Sequence, residues 1–143
     1  MTKQRQKIAL VCTKGGHFTE MTNLSDFYSC YDHFWITNKN EQTESQLRED
    51  KAYYINMAHF KQPWTYLSQI VPVLKAFFVE KPTHIISTGS GRTALIPYLF
   101  ARLTNIRFMH IDTFSRVQGY SKFGNFLLKM GNQIYTQWKD SAN

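Results

Sequence analysis

The chain has 143 residues, 43% hydrophobic and 15% aromatic, enough for one folded domain with a real core and too little for two. Its 17 lysines and arginines against 10 carboxylates leave a net charge of +7, which asks for an anionic partner: a phosphorylated substrate, a membrane surface or nucleic acid. Two cysteines, Cys12 and Cys30, exclude a disulfide framework and a zinc ribbon. The basic excess sits in the second half, where Arg92, Arg102, Arg107, Arg116, Lys122, Lys129 and Lys139 face only Asp112 and Asp140.

In chain order, Lys7 to Thr13 is a β-branched apolar run closed by Lys14-Gly15-Gly16, a buried strand followed by a tight turn. It is too short for a signal-peptide core or a bilayer span, so a cytoplasmic protein is expected. A helix from Phe18 to Ser29 and a strand from Asp32 to Thr37 follow. The polar stretch from Asn38 to Asp50 reads as an exposed loop or short surface helix, and Ala52 to Met57 as a third strand. From Trp64 to Glu80, apolar residues at Trp64, Leu67, Val71, Leu74 and Phe78 mark one helical face, with Pro72 expected to kink or divide the helix. Thr83 to Ser87 is a fourth strand. The loop Thr88-Gly89-Ser90-Gly91 leads into an apolar helix from Ala94 to Leu103, with Pro97 expected in its first turn. A fifth strand (Ile106 to Ile111), a helix (Tyr120 to Met130) and a last strand (Gln133 to Thr136) complete the series. Strands alternating with helices predict a single doubly wound, Rossmann-like α/β domain over residues 1–143 with a parallel sheet.

In such sheets ligands bind beyond the carboxyl ends of the strands. Three segments reach that edge: Gly15-Gly16-His17, Thr88 to Arg92, and Asp112 to Arg116. The glycines let backbone approach a ligand, the helix starts offer N–H groups to an anion, and Arg92 and Arg116 add positive charge. Together they describe a phosphate or diphosphate site. His17 follows the first glycine pair, either as a general base or as a helix-capping residue, and Glu20, one turn on, complements the helix dipole. Asp112 is placed to orient a sugar hydroxyl or to pair with Arg116. No metal constellation is present, nor a nucleotide P-loop. Gly89-Ser90-Gly91-Arg92-Thr93-Ala94 fits the dinucleotide fingerprint, with Asp112 as its ribose-binding acid. That reading stays open as the alternative, although three strands precede the motif. Nothing marks a nucleic-acid platform, so no nucleic-acid partner is expected. The helix from Tyr120 is amphipathic and basic: Tyr120, Phe123 and Phe126 share a face, with Lys122 and Lys129 on another. It suits a bilayer interface or packing on the sheet.

Three blocks carry a resemblance: GGHFTEM (Gly15 to Met21), KPTHIISTGSGRTALIP (Lys81 to Pro97) and IDTFSRVQGYSKFGNFLLKMGNQIYTQW (Ile111 to Trp138). In combination they resemble the PssD family of exopolysaccharide and capsule synthesis. That family is related to the membrane-anchoring subunit of the eukaryotic UDP-N-acetylglucosamine transferase that makes lipid-linked chitobiose. The resemblance implies the acceptor-side, MurG-like half of an inverting GT-B glycosyltransferase, working as an accessory subunit. It implies a PssE-like partner that binds the UDP-sugar, and no tightly bound cofactor or metal on this chain. It places Gly15, Gly16, His17, Gly89, Ser90 and Gly91 on the inter-domain cleft, receiving a polyprenyl-diphosphate-linked acceptor that His17 activates. Arg92, Asp112, Ser115 and Arg116 complete that acceptor site, with Asp112 standing where relatives commonly carry Glu. It further implies peripheral attachment to the inner, anionic face of the cell membrane. Tyr120, Lys122, Phe123, Phe126 and Lys129 are the expected contacts, with the aromatic Trp64 to Phe78 helix and the partner as other routes.

Overall fold

Runs of β-branched and aromatic residues bury themselves by pairing side by side, and here they pair in parallel. The computed structural model describes residues 5–139. Strands β1 (Lys7–Cys12), β2 (Asp32–Thr37), β3 (Ala52–Tyr54), β4 (His84–Thr88), β5 (Arg107–Ile111) and β6 (Ile134–Tyr135) form one sheet in the order β3-β2-β1-β4-β5-β6. All ladders are parallel; Leu10 of β1 lies between Trp35 of β2 and Ile86 of β4. This is the Rossmann-like α/β architecture the sequence predicts. Its strand order reverses between β1 and β4, where the turns after these strands open a crevice.

The connecting helices divide by face. Helices α1 (Gly16–Thr22), α2 (Ser25–Tyr28) and α3 (Glu41–Gln46) bring Phe18, Met21 and Tyr28 onto Ile8, Leu10, Cys12, Trp35 and Ile86. On the opposite face α4 (Leu67–Glu80), α5 (Gly91–Leu103) and α6 (Lys122–Lys129) bring Val73, Phe77, Tyr98, Phe123 and Leu127 onto Ala9, Val11, Phe34, Ile36 and Ile85. Both faces of the central strands are therefore covered, which explains their unbroken apolar runs. Cys12 is inside; it donates to Thr37 Oγ1 at 3.7 Å, and burial pushes its thiol up to about 12. It is an inert packing residue.

Several expected boundaries move, each for a local reason. The helix expected over Phe18 to Ser29 is two, because the weak helix formers Thr22 and Asn23 tighten the chain, Leu24 N donating to Met21 O at 3.0 Å. The polar stretch does contain a surface helix, α3, held by a capping box in which Asn40 and Thr43 bond each other's backbone N–H. Pro72 does not divide its helix. The break falls earlier, where a 3₁₀ turn (Pro63–Tyr66) gives way to α4, which runs on through Pro72. Pro97 lies in the interior of α5 rather than its first turn, because Ser90 caps the helix and starts it at Gly91.

The largest departure is the orientation of α4. Its buried side is Gln69, Val73, Ala76, Phe77 and Glu80. The stripe of Trp64, Leu67, Val71 and Phe78 faces outward, each of the four more than 60% exposed. Two polar residues turn it. Gln69 Nε2 donates to the carbonyls of Asn56 and Arg92, both at 2.6 Å. The Glu80 carboxylate is ion-paired with Lys7 and Lys51 and accepts from Tyr53 Oη at 2.8 Å. Burial alone would raise the Glu80 pKa; these partners hold it below the usual carboxylate value.

Candidate functional site

Three loops converge at the carboxyl edge of β1, β4 and β5, and two glycines determine how. Gly15 has a φ of 88° and turns the chain sharply from β1 into α1, which puts His17 in the first helical turn. Gly89 has a φ of 94°, and a Cβ there would stand 2.4 Å from His17 Cγ. Only glycine lets the imidazole lie across the β4–α5 turn. Thr88 Oγ1 fixes the approach by donating to His17 O at 2.8 Å.

Glu20 is the hub of the site. Its Oε2 lies 3.3 Å from His17 Nδ1, while its Oε1 accepts from Thr113 Oγ1 at 3.0 Å and Phe114 N at 2.8 Å. One carboxylate thus ties the first helix to the loop after β5. The same loop is held from the other side by Trp138, whose Nε1 donates to Phe114 O at 2.7 Å and whose ring packs on Phe114 with centroids 4.7 Å apart.

These loops enclose a cavity of about 270 Å³. Of the residues singled out from the sequence, His17, Gly89, Ser90, Gly91, Ser115, Arg116, Lys122 and Phe123 line it. Phe60, Thr113 and Ser121 line it too, without having been expected. Beside it lies a second cavity of about 350 Å³, lined by Phe60, Gly91, Leu95, Lys122, Phe123 and Phe126. The two share Phe60, Gly91, Lys122 and Phe123. A chamber of mixed lining, with hydroxyl, imidazole and cationic groups, therefore adjoins a more apolar one. Gly91 is needed at their junction, since a Cβ there would stand 2.7 Å from Phe123 Cδ2.

Other expected residues take different places. Gly15 and Gly16 border open space at the start of α1 rather than lining the cavity. Ser90 spends its hydroxyl as the α5 cap, accepting from Arg92 N at 3.3 Å. Arg92 turns away from the cavity: its guanidinium contacts Met57 Sδ and His59 Nδ1 and lies 6.0 Å from the Phe60 ring centre.

Asp112 corrects the expectation of a ligand-facing acid. It is 2% exposed, and both oxygens are occupied, Oδ1 by Thr113 N at 3.0 Å and Oδ2 by Ser121 N at 2.8 Å. Burial works to raise its pKa, yet the adjacent His110 side chain, with Nε2 3.9 Å from Oδ1, and the bonds from Ser121 and Thr113 prevail and hold it down at about 2. Its carboxylate anchors both ends of the loop that carries Ser115 and Arg116. Neither an acceptor sugar nor the ribose of a dinucleotide can reach it, which removes the acid from the dinucleotide fingerprint. His110, on the same strand, is fully buried and hydrogen-bonded to Ser87 Oγ at 2.6 Å.

The helix expected to touch a membrane through its aromatic residues uses them inside. Phe123 is buried against Tyr98 and His110. Phe126 is half-buried beside it, and Tyr120 is likewise half-buried. Lys122 and Lys129 are exposed. The outward apolar surface lies instead on α4, α5 and the end of α6: Phe60, Trp64, Leu67, Val71, Phe78, Leu99, Leu103, Leu128 and Met130. Lys61, Lys75, Arg102, Lys122 and Lys129 are exposed on these same elements and the turn before them, and their only acid, Glu80, is buried. Across the sheet, α1 to α3 and the turn after α2 expose two large apolar side chains among the described residues, Phe27 and Tyr31. No helix of the described residues is long and apolar enough to cross a membrane.

No family model matches the chain, and no curated protein matches it. Solved structures do. The UDP-GlcNAc 2-epimerase from Methanocaldococcus jannaschii superposes with a TM-score of 0.60 at 15% identity, over 84% of this chain and 33% of that one. The calicheamicin glycosyltransferase CalG4 aligns with a TM-score of 0.48 at 9% identity, over 91% of this chain and 38% of its own. The chain spans about a third of the length of each. At this identity the epimerase likeness establishes a shared Rossmann-like fold.

Proposed function

We propose that this chain is the acceptor-binding half of a two-component, inverting glycosyltransferase. In this reading it holds a polyprenyl-diphosphate-linked sugar, and a PssE-like partner brings the UDP-sugar. The observation that carries the reading is the pair of adjoining cavities. A lipid-linked diphosphate is polar and anionic at one end and apolar at the other; the first chamber would offer it cationic and hydroxyl groups, and the second a more apolar wall. Arg116 and Lys122 supply positive charge on the polar side, and the N-terminus of α5 adds its dipole at Gly91. Leu95 and Phe126 supply the apolar side. The fold is shared with an enzyme whose substrate is a UDP-sugar, which is compatible with sugar transfer.

Inverting transfer needs a base on the acceptor hydroxyl, the acceptor held in line with the donor, and stabilisation of the diphosphate leaving group. Within this chain His17 is the one imidazole lining the polar cavity, and it is the proposed base. The donor's leaving group would be met by the partner. The outward face of α4 to α6, apolar and basic with no exposed acid, is the proposed seat on the anionic inner leaflet, where the acceptor resides.

The test is co-expression with a PssE-like protein. Transfer from a panel of UDP-sugars to a short polyprenyl-diphosphate acceptor is then measured for each chain and for the pair. A stable pair active only together supports the proposal and identifies the donor. Failure to pair, with no gain in transfer, rejects it.

A further inference from the structure

We propose that Glu20 sets the tautomer of His17 and couples it to the position of the loop after β5. It is a positioning residue for the base, and its importance for turnover rests on the reading of His17 above. The tautomer itself does not depend on that reading.

The argument is one of donors and acceptors. A carboxylate can only accept hydrogen bonds, so across the 3.3 Å contact with Glu20 Oε2 it is His17 Nδ1 that must donate. In the neutral imidazole one nitrogen carries the proton and the other a lone pair. Placing the proton on Nδ1 leaves Nε2 bare. Nε2 has no partner among the described residues, on a ring that lines the polar cavity. Glu20 is well placed to hold this arrangement, with its side chain 18% exposed against 31% for His17. Its other oxygen is pinned by Phe114 N, an obligate donor, and by Thr113 Oγ1. The loop that carries Ser115 and Arg116 therefore holds the carboxylate that holds the imidazole. A shift of that loop on ligand entry would be felt at His17 Nε2.

The same geometry supplies a substitution that reverses the tautomer while keeping the shape. In Glu20→Gln, the backbone N–H of Phe114 still demands an acceptor and so keeps the amide oxygen. The amide NH2 is then turned toward His17 Nδ1, which must accept, and the proton moves to Nε2. The cavity would face an N–H donor instead of a base.

The experiment is ¹⁵N NMR of histidine-labelled protein, with His17 among the five histidines assigned by the loss of its signals in His17→Gln. Wild-type protein is expected to show the Nδ1–H form at His17 and Glu20→Gln the Nε2–H form, with unchanged circular dichroism. In the reconstituted pair, Glu20→Gln is expected to lose on the order of 10²-fold in transfer, the scale of a general base, with partner binding retained. A wild-type His17 in the Nε2–H form overturns the proposal without any variant, as does a Glu20→Gln protein that stays Nδ1–H. A tautomer that switches while transfer stays unchanged upholds the positioning by Glu20 and instead rejects His17 as the base.

Discussion

Replacing Asp112 by asparagine isolates the anchor of the β5–α6 loop. The carboxylate receives two backbone donors, Thr113 N at 3.0 Å and Ser121 N at 2.8 Å, on its two oxygens. Asparagine has one oxygen, so whichever way the amide turns, its NH2 faces a backbone N–H. One charge-assisted bond is lost and one buried donor is left unpaired, a cost of about 2–3 kcal/mol. The carboxyl's own titration gives a similar figure. Folding lowers its pKa from about 3.9 in the unfolded chain to about 2, and that shift corresponds to about 2–3 kcal/mol over all its partners, His110 included. The sign follows from the direction: a carboxyl whose pKa is lowered by folding stabilises fully above its unfolded pKa. That contribution disappears as pH falls through 4 toward the folded value of about 2. Urea unfolding of wild type and Asp112→Asn at a series of pH values should show the gap of about 2–3 kcal/mol near neutrality closing in acid. A neutral-pH difference below about 0.5 kcal/mol, within the range of ordinary surface substitutions, would refute the anchor, as would a gap that does not change with pH.

Three further outcomes are expected. Gly89→Ala forces a Cβ to within 2.4 Å of His17 Cγ at a positive φ, so it should displace the imidazole and cut transfer by the pair about as much as His17→Ala, on the order of 10²-fold; equal rates for Gly89→Ala and wild type would mean the ring is not needed where it lies. Trp64→Asp with Phe78→Asp should leave the fold intact and abolish sedimentation with anionic vesicles, whereas Phe123→Asp, placing a charge in the core, should unfold the protein at ambient temperature; the reverse pattern would restore α6 aromatics as the membrane contact. Glu80→Gln should destabilise by about 1–3 kcal/mol at neutral pH, with the difference from wild type shrinking as acid protonates the carboxyl; a constant difference would dismiss its ion pairs with Lys7 and Lys51.

The central strands were legible because each is a short apolar run that a parallel sheet must bury on both faces. The boundaries of β2, Asp32 to Thr37, agree residue for residue. The meeting of the loops was legible because turns after parallel strands gather at one sheet edge: His17, Gly89, Gly91, Ser115 and Arg116 line one cavity there, while Gly15, Gly16, Arg92 and Asp112 do not. What could not be read was which way long side chains turn. The apolar spacing of α4 identified a face correctly, but only the tertiary partners of Gln69 and Glu80 decide that this face looks outward. The same limit hid the burial of Asp112 and the swing of Arg92 toward His59. Glu20 was visible as a dipole partner alone, although its place three residues after His17 puts the two on one helix face. Its bonds to Thr113 and Phe114 join segments more than 90 residues apart, and no local pattern announces them.

The layout of α5 bears on why the proposed acceptor is lipid-linked rather than a free sugar. Gly91 lies at the junction of the two cavities, and Leu95 lines the apolar one. Leu99 follows at 43% exposure and Leu103 at 86%. These positions recur every fourth residue, so they form one ridge that winds gradually around the helix over about 18 Å. Apolar exposure thus rises steadily from the polar chamber toward the far end of the helix, on the same layer as the outward stripe of α4. A soluble sugar would fill the polar chamber and leave this track facing water, at a cost of about 25 cal/mol for each square ångström of apolar surface left uncovered. A prenyl chain running from a diphosphate held near Gly91 would cover Leu95 and then leave the protein where α4 and α5 offer a surface to the bilayer. On the proposed reading, the track would serve an acceptor whose tail stays in the membrane.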